Sequence, residues 1–480
     1  MLRPIWVDII FNPVNDDGKT KSREEKSEST PRVLVGYDTR DSSPQLADEV
    51  REGVEAMHGL CLCFSLITTP QLHFAVCHMN LTIDAEPALP DLRQIYVQRF
   101  ASCFSRGMKD LVRKKQSVVV SPMLVNVDCA NGVGSIVLDQ FRHELAQQGC
   151  PFELHLYNTQ TKQLDWLNNN CGADFVQTYC KAPQLYDHES GANPLDPGSR
   201  WATIDGDADR ILYFYVPDKS RNTGDESQII LLDGDRIACL FAMFIKRLLP
   251  TDRKLTIGVI QTAYANAASS IYLEQKVGVP MVCVSTGMKY LHRAAQKFDF
   301  GIAFEASGHG TVSYSPAALE RIESLGPDHP LSVFAGLTNT TFGDGITGIL
   351  MVEYALAHLG WSMSDWANLY KECASRRLRV AVAKPYLIQT VDSERRVSHP
   401  SSLQDAIDKV VDSVRQATGR PNASRAFVRP AGTENTVRVY AESTTQPLAD
   451  WLATKVAILT HQLVRGVGDP PMDPGPMPLP

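Results

Sequence analysis

The sequence predicts an α/β chain in which strand, turn and helix recur several times, followed by a smaller α+β domain. Three observations carry this. First, apolar runs end in short turns and give way to helical spacing at 32-RVLVGYD-38 with 44-PQLADEVREGVEAM-57, across 123-MLVNVDCANGVGSIVLDQFRHELAQQG-149, and again from 256-TIGVIQT-262. Repeats of this kind argue for largely parallel sheets with helices on both faces. Second, from about Arg379 the order changes to strand, helix, two strands and helix, the pattern of a small antiparallel sheet backed by helices. Third, 480 residues leave room for three or four domains at roughly 100–200 residues each.

Taken in order, residues 14–31 (VNDDGKTKSREEKSESTP) are highly charged without apolar periodicity and read as a mobile loop. The strand at 32–38 leads to a helix at 44–57 with an acidic first turn. A second unit opens at 118-SVVV and runs through 123–149. The third holds 256–262, a helix from about Ala263 to Gln275, a strand 280-PMVCVS-285 and a helix after Thr286. The final segment comprises 378-LRVAVA-383, helical 402–418, strands 425-RAFV-428 and 436-TVRVYAES-443, and helical 447–464. The tail, 467-VGDPPMDPGPMPLP-480, is rich in Pro and Gly and reads as disordered.

Bulk charge narrows the function classes. With 47 basic and 54 acidic side chains the net charge is 47 − 54 = −7, so no global field recruits nucleic acid or an anionic membrane. An anionic ligand has to be caught by local donors. The 11 cysteines are irregularly spaced without a CxxC pair or a Cys/His quartet, which reads as a reduced, intracellular protein. The longest uncharged apolar run, 237-IACLFAMFI-245, is about half the ~20 residues a membrane-spanning helix needs. The expectation is a cytoplasmic protein acting on a small molecule, without nucleic-acid or membrane partners and as a monomer.

Three stretches could carry chemistry. In 201-WATIDGDADRILYFYV-216, Asp205, Asp207 and Asp209 alternate where an apolar strand breaks into a turn, so their carboxylates can converge. Such a cluster repels itself unless a hard divalent cation is present, and an all-oxygen set with few ligands suits Mg²⁺. An EF-hand calcium loop is excluded, because Arg210 takes the glycine position and Val216 the bidentate glutamate position. An acidic surface turn is the plain alternative. In 425-RAFVRPAGTENTVRVYAE-442, Arg429, the turn Ala431, Gly432, Thr433, and Arg438 on the returning strand offer guanidinium forks, N–H groups and a hydroxyl to a phosphate dianion. An ordinary hairpin with an arginine pair fits equally well. In 301-GIAFEASGHGTVSYS-315, Glu305, Ser307 and His309 follow a strand among small residues and can bond vicinal sugar hydroxyls. The preceding 286-TGMKYLH-292 adds Thr286, Gly287 and Lys289, a weak signal alone. The run 132-GVGSIV-137 lacks the third glycine of a dinucleotide fingerprint and is discounted.

The three stretches in this order resemble the α-D-phosphohexomutases, most closely the eukaryotic phosphoacetylglucosamine mutases. There DGDADR is the magnesium loop, FEANGHG the sugar loop and RPSGTED the phosphate loop. Segments 35-VGYDTRDSS-43, 68-TTPQLH-73, 126-NVDCANGVG-134, 171-CGADFV-176, 257-IGVIQTAYAN-266 and 286-TGMKYLH-292 look similar too, so the likeness runs from about Arg32 to Gly468. The resemblance implies three consecutive α/β mixed-sheet domains plus a smaller C-terminal α+β domain around a central cleft. The corresponding boundaries are 1–117, 118–230, 231–377 and 378–468, with 469–480 as tail. It implies interconversion of N-acetylglucosamine 6-phosphate and 1-phosphate towards UDP-N-acetylglucosamine, with one Mg²⁺ and a bisphosphorylated sugar as intermediate. By the same resemblance Asp205, Asp207 and Asp209 are the metal ligands and His309 the acid/base residue. Substrate contacts fall on Thr286, Gly287, Lys289, Glu305, Ser307, His309, Arg429, Ala431, Gly432, Thr433 and Arg438.

The family's phosphorylated serine lies in a loop TASHNP. Its counterpart here is 8-DIIFNPVNDDGK-19, which aligns Asn12, Pro13, Asp16 and Gly18 and puts Ile10 at the serine and Phe11 at the histidine. An isoleucine side chain cannot accept a phosphoryl group. Ser307, Ala431 and Asn435 also depart from the family's asparagine, serine and aspartate. The expectation is an atypical or truncated first domain, from a start that is not the genuine one or from loss of the covalent step.

Overall fold

The computed structural model describes residues 6–10, 31–81, 89–115, 123–186, 195–217, 229–249, 255–420, 424–432 and 434–478. They form two compact units, one of residues 1–255 with 307–367 and the other of 256–306 with 368–480. The architecture is mixed α/β with several sheets, as the alternation of apolar runs and helical spacing predicts. No described helix is long and apolar enough to cross a membrane. None of the 11 cysteines forms a disulfide.

The first unit holds a three-stranded sheet ordered Trp6–Ile10, Arg32–Tyr37, Leu60–Leu66. Arg32–Tyr37 runs parallel to Leu60–Leu66 and antiparallel to Trp6–Ile10, where Ile10 faces Arg32 in register. Its main sheet has five strands ordered Phe152–Tyr157, Met123–Asp128, Arg200–Ile204, Ile211–Tyr215, Ile230–Leu232. The first three are parallel and the last two antiparallel. Val125, Val127, Trp201, Ala202, Leu212, Tyr213 and Phe214 are all fully buried, which explains why these strands read as continuous apolar runs rather than alternating ones. The stretch 118-SVVV lies outside the described residues; the strand proper starts at Met123.

One element absent from the sequence reading is the helix Leu89–Lys115. Its inward face carries Leu92, Tyr96, Phe100, Phe104 and Met108, buried at four-residue spacing. Tyr96 donates to the Asp344 carboxylate at 2.7 Å, and Asp344 in turn caps the helix Gly345–Leu359 through the Ile346 and Thr347 N–H groups. Beneath the strand ends, Asp128 is fully buried and accepts from Ala130 N, Asn158 Nδ2, Gly172 N and Thr203 Oγ1 at 2.7–3.1 Å. Burial pushes its carboxyl pKa up, and these four donors pull against that shift. Asp128 thereby draws together the segments 126–134, 171–176 and 200–204.

In the second unit Met281–Val284, Ile257–Thr262 and Phe300–Phe304 pair in parallel, in that order. The helix expected from Ala263 starts later, at Ala267, because Asn266 serves as its N-cap and accepts from Ala268 N; it then widens into a π-helical turn over Tyr272–Val277. A separate antiparallel sheet is ordered Ala374–Ala381, Thr436–Ser443, Arg425–Pro430. Val380, Val428, Val437 and Val439 on one face pack against Leu403, Ile407, Leu448 and Leu452 of the helices Ser401–Thr418 and Gln446–Leu463. The hairpin Gln389–Val391 with Arg396–His399 is an addition to the sequence reading. Residues 469–478 carry no helix or strand and lie along the last helix, where Lys455 pairs with Asp473 at 2.7 Å and the Trp451 indole donates to Gly475 O.

The loop between Arg200–Ile204 and Ile211–Tyr215 depends on close backbone approach. A Cβ on Gly132 would stand 2.3 Å from the Gly206 carbonyl oxygen. Gly132→Ala is therefore expected to lower stability by about 1–3 kcal/mol and to displace the 205–210 loop. Urea unfolding checks the first effect, and a weaker Mg²⁺-induced rise in Tm than in the parent checks the second.

Candidate active site

Asp205, Asp207 and Asp209 lie on the six-residue connection between two buried antiparallel strands, where Ile204 and Ile211 are the last paired residues. Their convergence is made by the turn rather than by strand alternation. Ala208 is fully buried with φ +61°, a left-handed residue; its N–H bonds Asp205 O at 3.1 Å and its carbonyl accepts from Gly345 N at 2.9 Å. One carboxylate oxygen from each of the three aspartates lies within 4.8 Å of the others. Burial raises the Asp205 pKa well above the usual range, and the neighbouring Asp209 and Asp207 charges raise it further. A carboxylate set this crowded and this dry suits a hard divalent cation.

Cationic and hydroxyl groups frame the set. Arg210 pairs with Asp174 at 2.6 Å and stands 3.6 Å from Asp205 and 3.7 Å from Asp209. Thr69 donates its hydroxyl to the Asp207 carboxylate at 2.9 Å and its N–H to the Asp207 carbonyl at 3.2 Å. His309 is 8% exposed and sets its Nδ1 3.5 Å from Asp209 Oδ2. A bridge between Arg210 and His309 and the bond from Ile211 N to Gly308 O at 3.2 Å hold it there. Gly308, at φ +87°, has no room for a Cβ, which would meet Ile211 O at 2.0 Å. Phe342 packs edge-on against the imidazole with 4.9 Å between centroids.

In the second unit the antiparallel sheet has two unlike faces. Opposite its valine face, Arg429 sits directly across from Arg438, and Arg438 directly across from Arg379, so three guanidinium-bearing residues stand in one row. Like charges directly opposed in a sheet cost about 0.2–1 kcal/mol unless an anion intervenes. Arg438 Nε is buried without a hydrogen-bond partner among the described residues. The next row on this face, Phe427 and Tyr440, packs against Tyr264. Burial raises the Tyr264 pKa, while Arg429 and Arg438 pull it down. The turn is closed by Ala431 N bonding Thr436 O at 2.9 Å. Gly432 is exposed and a Cβ there would meet nothing, so packing within the chain does not demand glycine.

The other sugar-loop residues divide between the units. Glu305, half-buried, accepts from Gly287 N at 3.1 Å, and Gly287 has φ +125°. Thr286 donates N–H and hydroxyl to Glu394 at 2.9 and 2.6 Å, and Glu394 also accepts from Arg429 Nε at 3.0 Å. Lys289 is exposed and lies over the Tyr290 ring at 4.9 Å. The structure thus groups Asp205, Asp207, Asp209 and His309 in one unit, with Ser307 half-buried two residues before His309. It groups Thr286, Gly287, Glu305, Arg429 and Arg438 in the other. Thr433, Phe11, Asn12, Pro13, Asp16 and Gly18 lie outside the described residues.

Comparison with known proteins identifies the family. The family profile "Phosphoacetylglucosamine mutase AMG1, domain III" matches residues 233–361. Those for domain I and for the C-terminal domain of phosphoglucomutase/phosphomannomutase match 19–85 and 387–459. Phosphoacetylglucosamine mutase of Sus scrofa is 39% identical over 92% of this chain and 77% of its own length; that of Homo sapiens is 37% identical over the same shares. The chain belongs to the phosphoacetylglucosamine mutase family.

Solved structures extend the family likeness to three dimensions. N-acetylphosphoglucosamine mutase of Aspergillus fumigatus, in complex with GlcNAc-6P and magnesium, superposes with a TM-score of 0.77 at 36% identity, covering 91% of this chain and 84% of that one. An N-acetylglucosamine-phosphate mutase of the α-D-phosphohexomutase superfamily, in its substrate complex, gives 0.78 at 32% identity over 90% and 77%. The first-domain profile begins at residue 19, so the family likeness reaches further towards the start than the point near Arg32 read from the sequence.

Four residues around the family motifs escaped the sequence reading as site groups. Thr69 and Tyr264 sat inside the quoted segments 68–73 and 257–266 without a stated role. Arg379 was legible as one member of an alternating strand, and Glu394 carried no signal beyond that of a polar turn.

Mg²⁺ should stabilise this family member measurably, because a ligand held at 100 times its Kd contributes about 2.7 kcal/mol. Differential scanning fluorimetry with and without millimolar Mg²⁺ is expected to show a rise in Tm that Asp205→Asn or Asp209→Asn abolishes. An equal rise in parent and variants would remove the acidic trio as the ion's site.

Proposed function

We propose that this chain is an isomerase of amino-sugar phosphates, built to bind N-acetylglucosamine 6-phosphate and exchange it with the 1-phosphate on the way to UDP-N-acetylglucosamine, with the exchange slowed at Ile10. One observation carries the reading. A crowded acidic trio beside His309 and an opposed arginine pair with a buried orphan nitrogen occur together in a chain 39% identical to a phosphoacetylglucosamine mutase. The Aspergillus fumigatus relative is described with GlcNAc-6P and magnesium, and a serine-to-alanine variant of it with glucose 1,6-bisphosphate. By that likeness the ligands here are one Mg²⁺ and a bisphosphorylated sugar intermediate.

The donor set of Asp205, Asp207 and Asp209 fits such an ion, whose charge when bound offsets that of phosphoryl oxygens. The chain's own groups do the remainder. Arg429 and Arg438 grip the phosphate that is not reacting, with Ala431, Gly432 and Thr433 offering the turn's N–H groups and hydroxyl. Glu305, with Thr286, Gly287 and Lys289, and Ser307 each contribute bonds to the sugar. His309, its Nδ1 turned to Asp209, takes up or returns the hydroxyl proton. We place these groups in a four-domain chain divided near residues 117, 230, 377 and 468, cytoplasmic and monomeric, with no nucleic-acid or membrane partner.

Phosphoryl transfer through the protein needs a hydroxyl, and Ile10, aligned with the family's serine, has none. Binding and turnover should therefore separate. Calorimetric titration with N-acetylglucosamine 6-phosphate and Mg²⁺ is expected to give a micromolar Kd; no binding at millimolar ligand would overturn the proposed function. Turnover of residues 1–480 in a coupled assay is expected to fall at least about a thousand-fold below a serine-bearing relative, with no adduct of about 80 Da in the intact mass. Ile10→Ser should restore only part of it, because Phe11 remains. A full rate from the unaltered chain would place the phosphoryl carrier elsewhere.

A further inference from the structure

The hairpin formed by Gln389–Val391 and Arg396–His399 turns on three successive non-glycine residues with positive φ: Asp392 at +53°, Ser393 at +55° and Glu394 at +68°. Left-handed backbone is uncommon for such residues, and it persists where the surroundings hold it. Here Ser393 donates its hydroxyl to the Cys283 carbonyl at 2.9 Å, at the end of the strand Met281–Val284. Asp392 holds Arg395 at 2.6 Å. The bent tip delivers one carboxylate to two loops at once. Oε2 of Glu394 takes both donors of Thr286, at 2.9 Å from N and 2.6 Å from Oγ1, while Oε1 takes Arg429 Nε at 3.0 Å.

Two features make this more than a surface ion pair. Both side chains are only 17% exposed, so the bond lies in a partly desolvated setting where orientation is held. Glu394 takes the Nε edge of the guanidinium, and its carboxylate does not engage the terminal nitrogens of Arg429. The adjacent N–H of Gly287 is taken by Glu305 at 3.1 Å, so consecutive amides of one turn are bound by two different carboxylates.

We infer that Glu394 is a positioning residue for sugar-phosphate binding, its carboxylate fixing Arg429 for the phosphate and the Thr286–Gly287 turn for the sugar. The inference rests on the proposed function for its ligand, and on the geometry alone for the linkage between the loops. An intramolecular carboxylate that merely stood in for the ligand phosphate would act with the opposite sign, because removing it would tighten binding.

Glu394→Gln keeps the shape but places an amide N–H₂ against donors on one of its two edges. Titration with N-acetylglucosamine 6-phosphate is expected to show about ten-fold weaker binding for Glu394→Gln and less than about three-fold loss for Glu394→Asp, which retains the charge. Tm is expected to fall by only about 1–4 °C, the loss of one partly buried charge-assisted contact. Unchanged or tighter binding by Glu394→Gln would overturn the inference. A second readout needs no sugar: the Arg429 Nε–Hε resonance, identified by its loss in Arg429→Lys, is expected to exchange slowly in the parent and at least about ten-fold faster in Glu394→Gln. Equal exchange rates would overturn the linkage, whereas a parent that binds no sugar phosphate would overturn only the proposed function.

Discussion

Unbalanced charge at the ends of buried strands is the constraint on which the rest of the structure depends. Asp205, Asp207 and Asp209 bring carboxylate oxygens within 4.8 Å of one another beside residues that are almost wholly buried. Apolar burial of Trp201, Ala202, Ile211 and Leu212 drives the two strands together, and the connection between them has to bend through Ala208 in a left-handed conformation. The charge that collects there is a consequence of the packing. Arg210, Thr69 and the imidazole of His309 temper it, and Asp174 keeps Arg210 on the rim.

The second unit poses the opposite problem. Its antiparallel sheet buries one face of valines against two helices and presents the other as successive rows of Arg379, Arg438 and Arg429, then Arg377, Tyr440 and Phe427. Tyr264 packs its ring edge-on against both Phe427 and Tyr440, and Arg425 is neutralised by Glu442, which also accepts from Tyr440 and from Ala267 N. Compensation is complete in the Arg425 row and incomplete at Arg438. The proposed function assigns a phosphate dianion to that row and a divalent cation to the acidic trio of the other unit. A metal-dependent chemistry of sugar phosphates needs both kinds of deficit in one chain.

Much of the fold was legible because its strands are uniformly apolar and its helices amphipathic. The units at 32–57, 123–149 and 256–262 and the C-terminal strand and helix order all follow from spacing alone. The helix Leu89–Lys115 falls outside the strand–turn–helix pattern, although Leu92, Tyr96, Phe100 and Phe104 repeat every fourth residue, because the element before it is the helix Thr69–Leu81 rather than a strand. The hairpin at 389–399 could not be read, because its strands are three and four residues long and its turn, Asp392 to Glu394, contains no glycine.

Residue type and order named the candidates for local chemistry: aspartates at alternate positions suit a hard cation, arginines flanking a Gly-bearing turn suit an anion, and the side chain of an isoleucine at position 10 is no nucleophile. Partnership was decided only by tertiary structure. Which carboxylate meets which guanidinium depends on cross-strand register and on loops far apart in the chain. Thr69 thereby becomes the companion of Asp207 and Glu394 that of Arg429, while Arg379 joins the arginine row. Periodicity reports which face a side chain occupies, and only packing of distant segments reports what stands across from it.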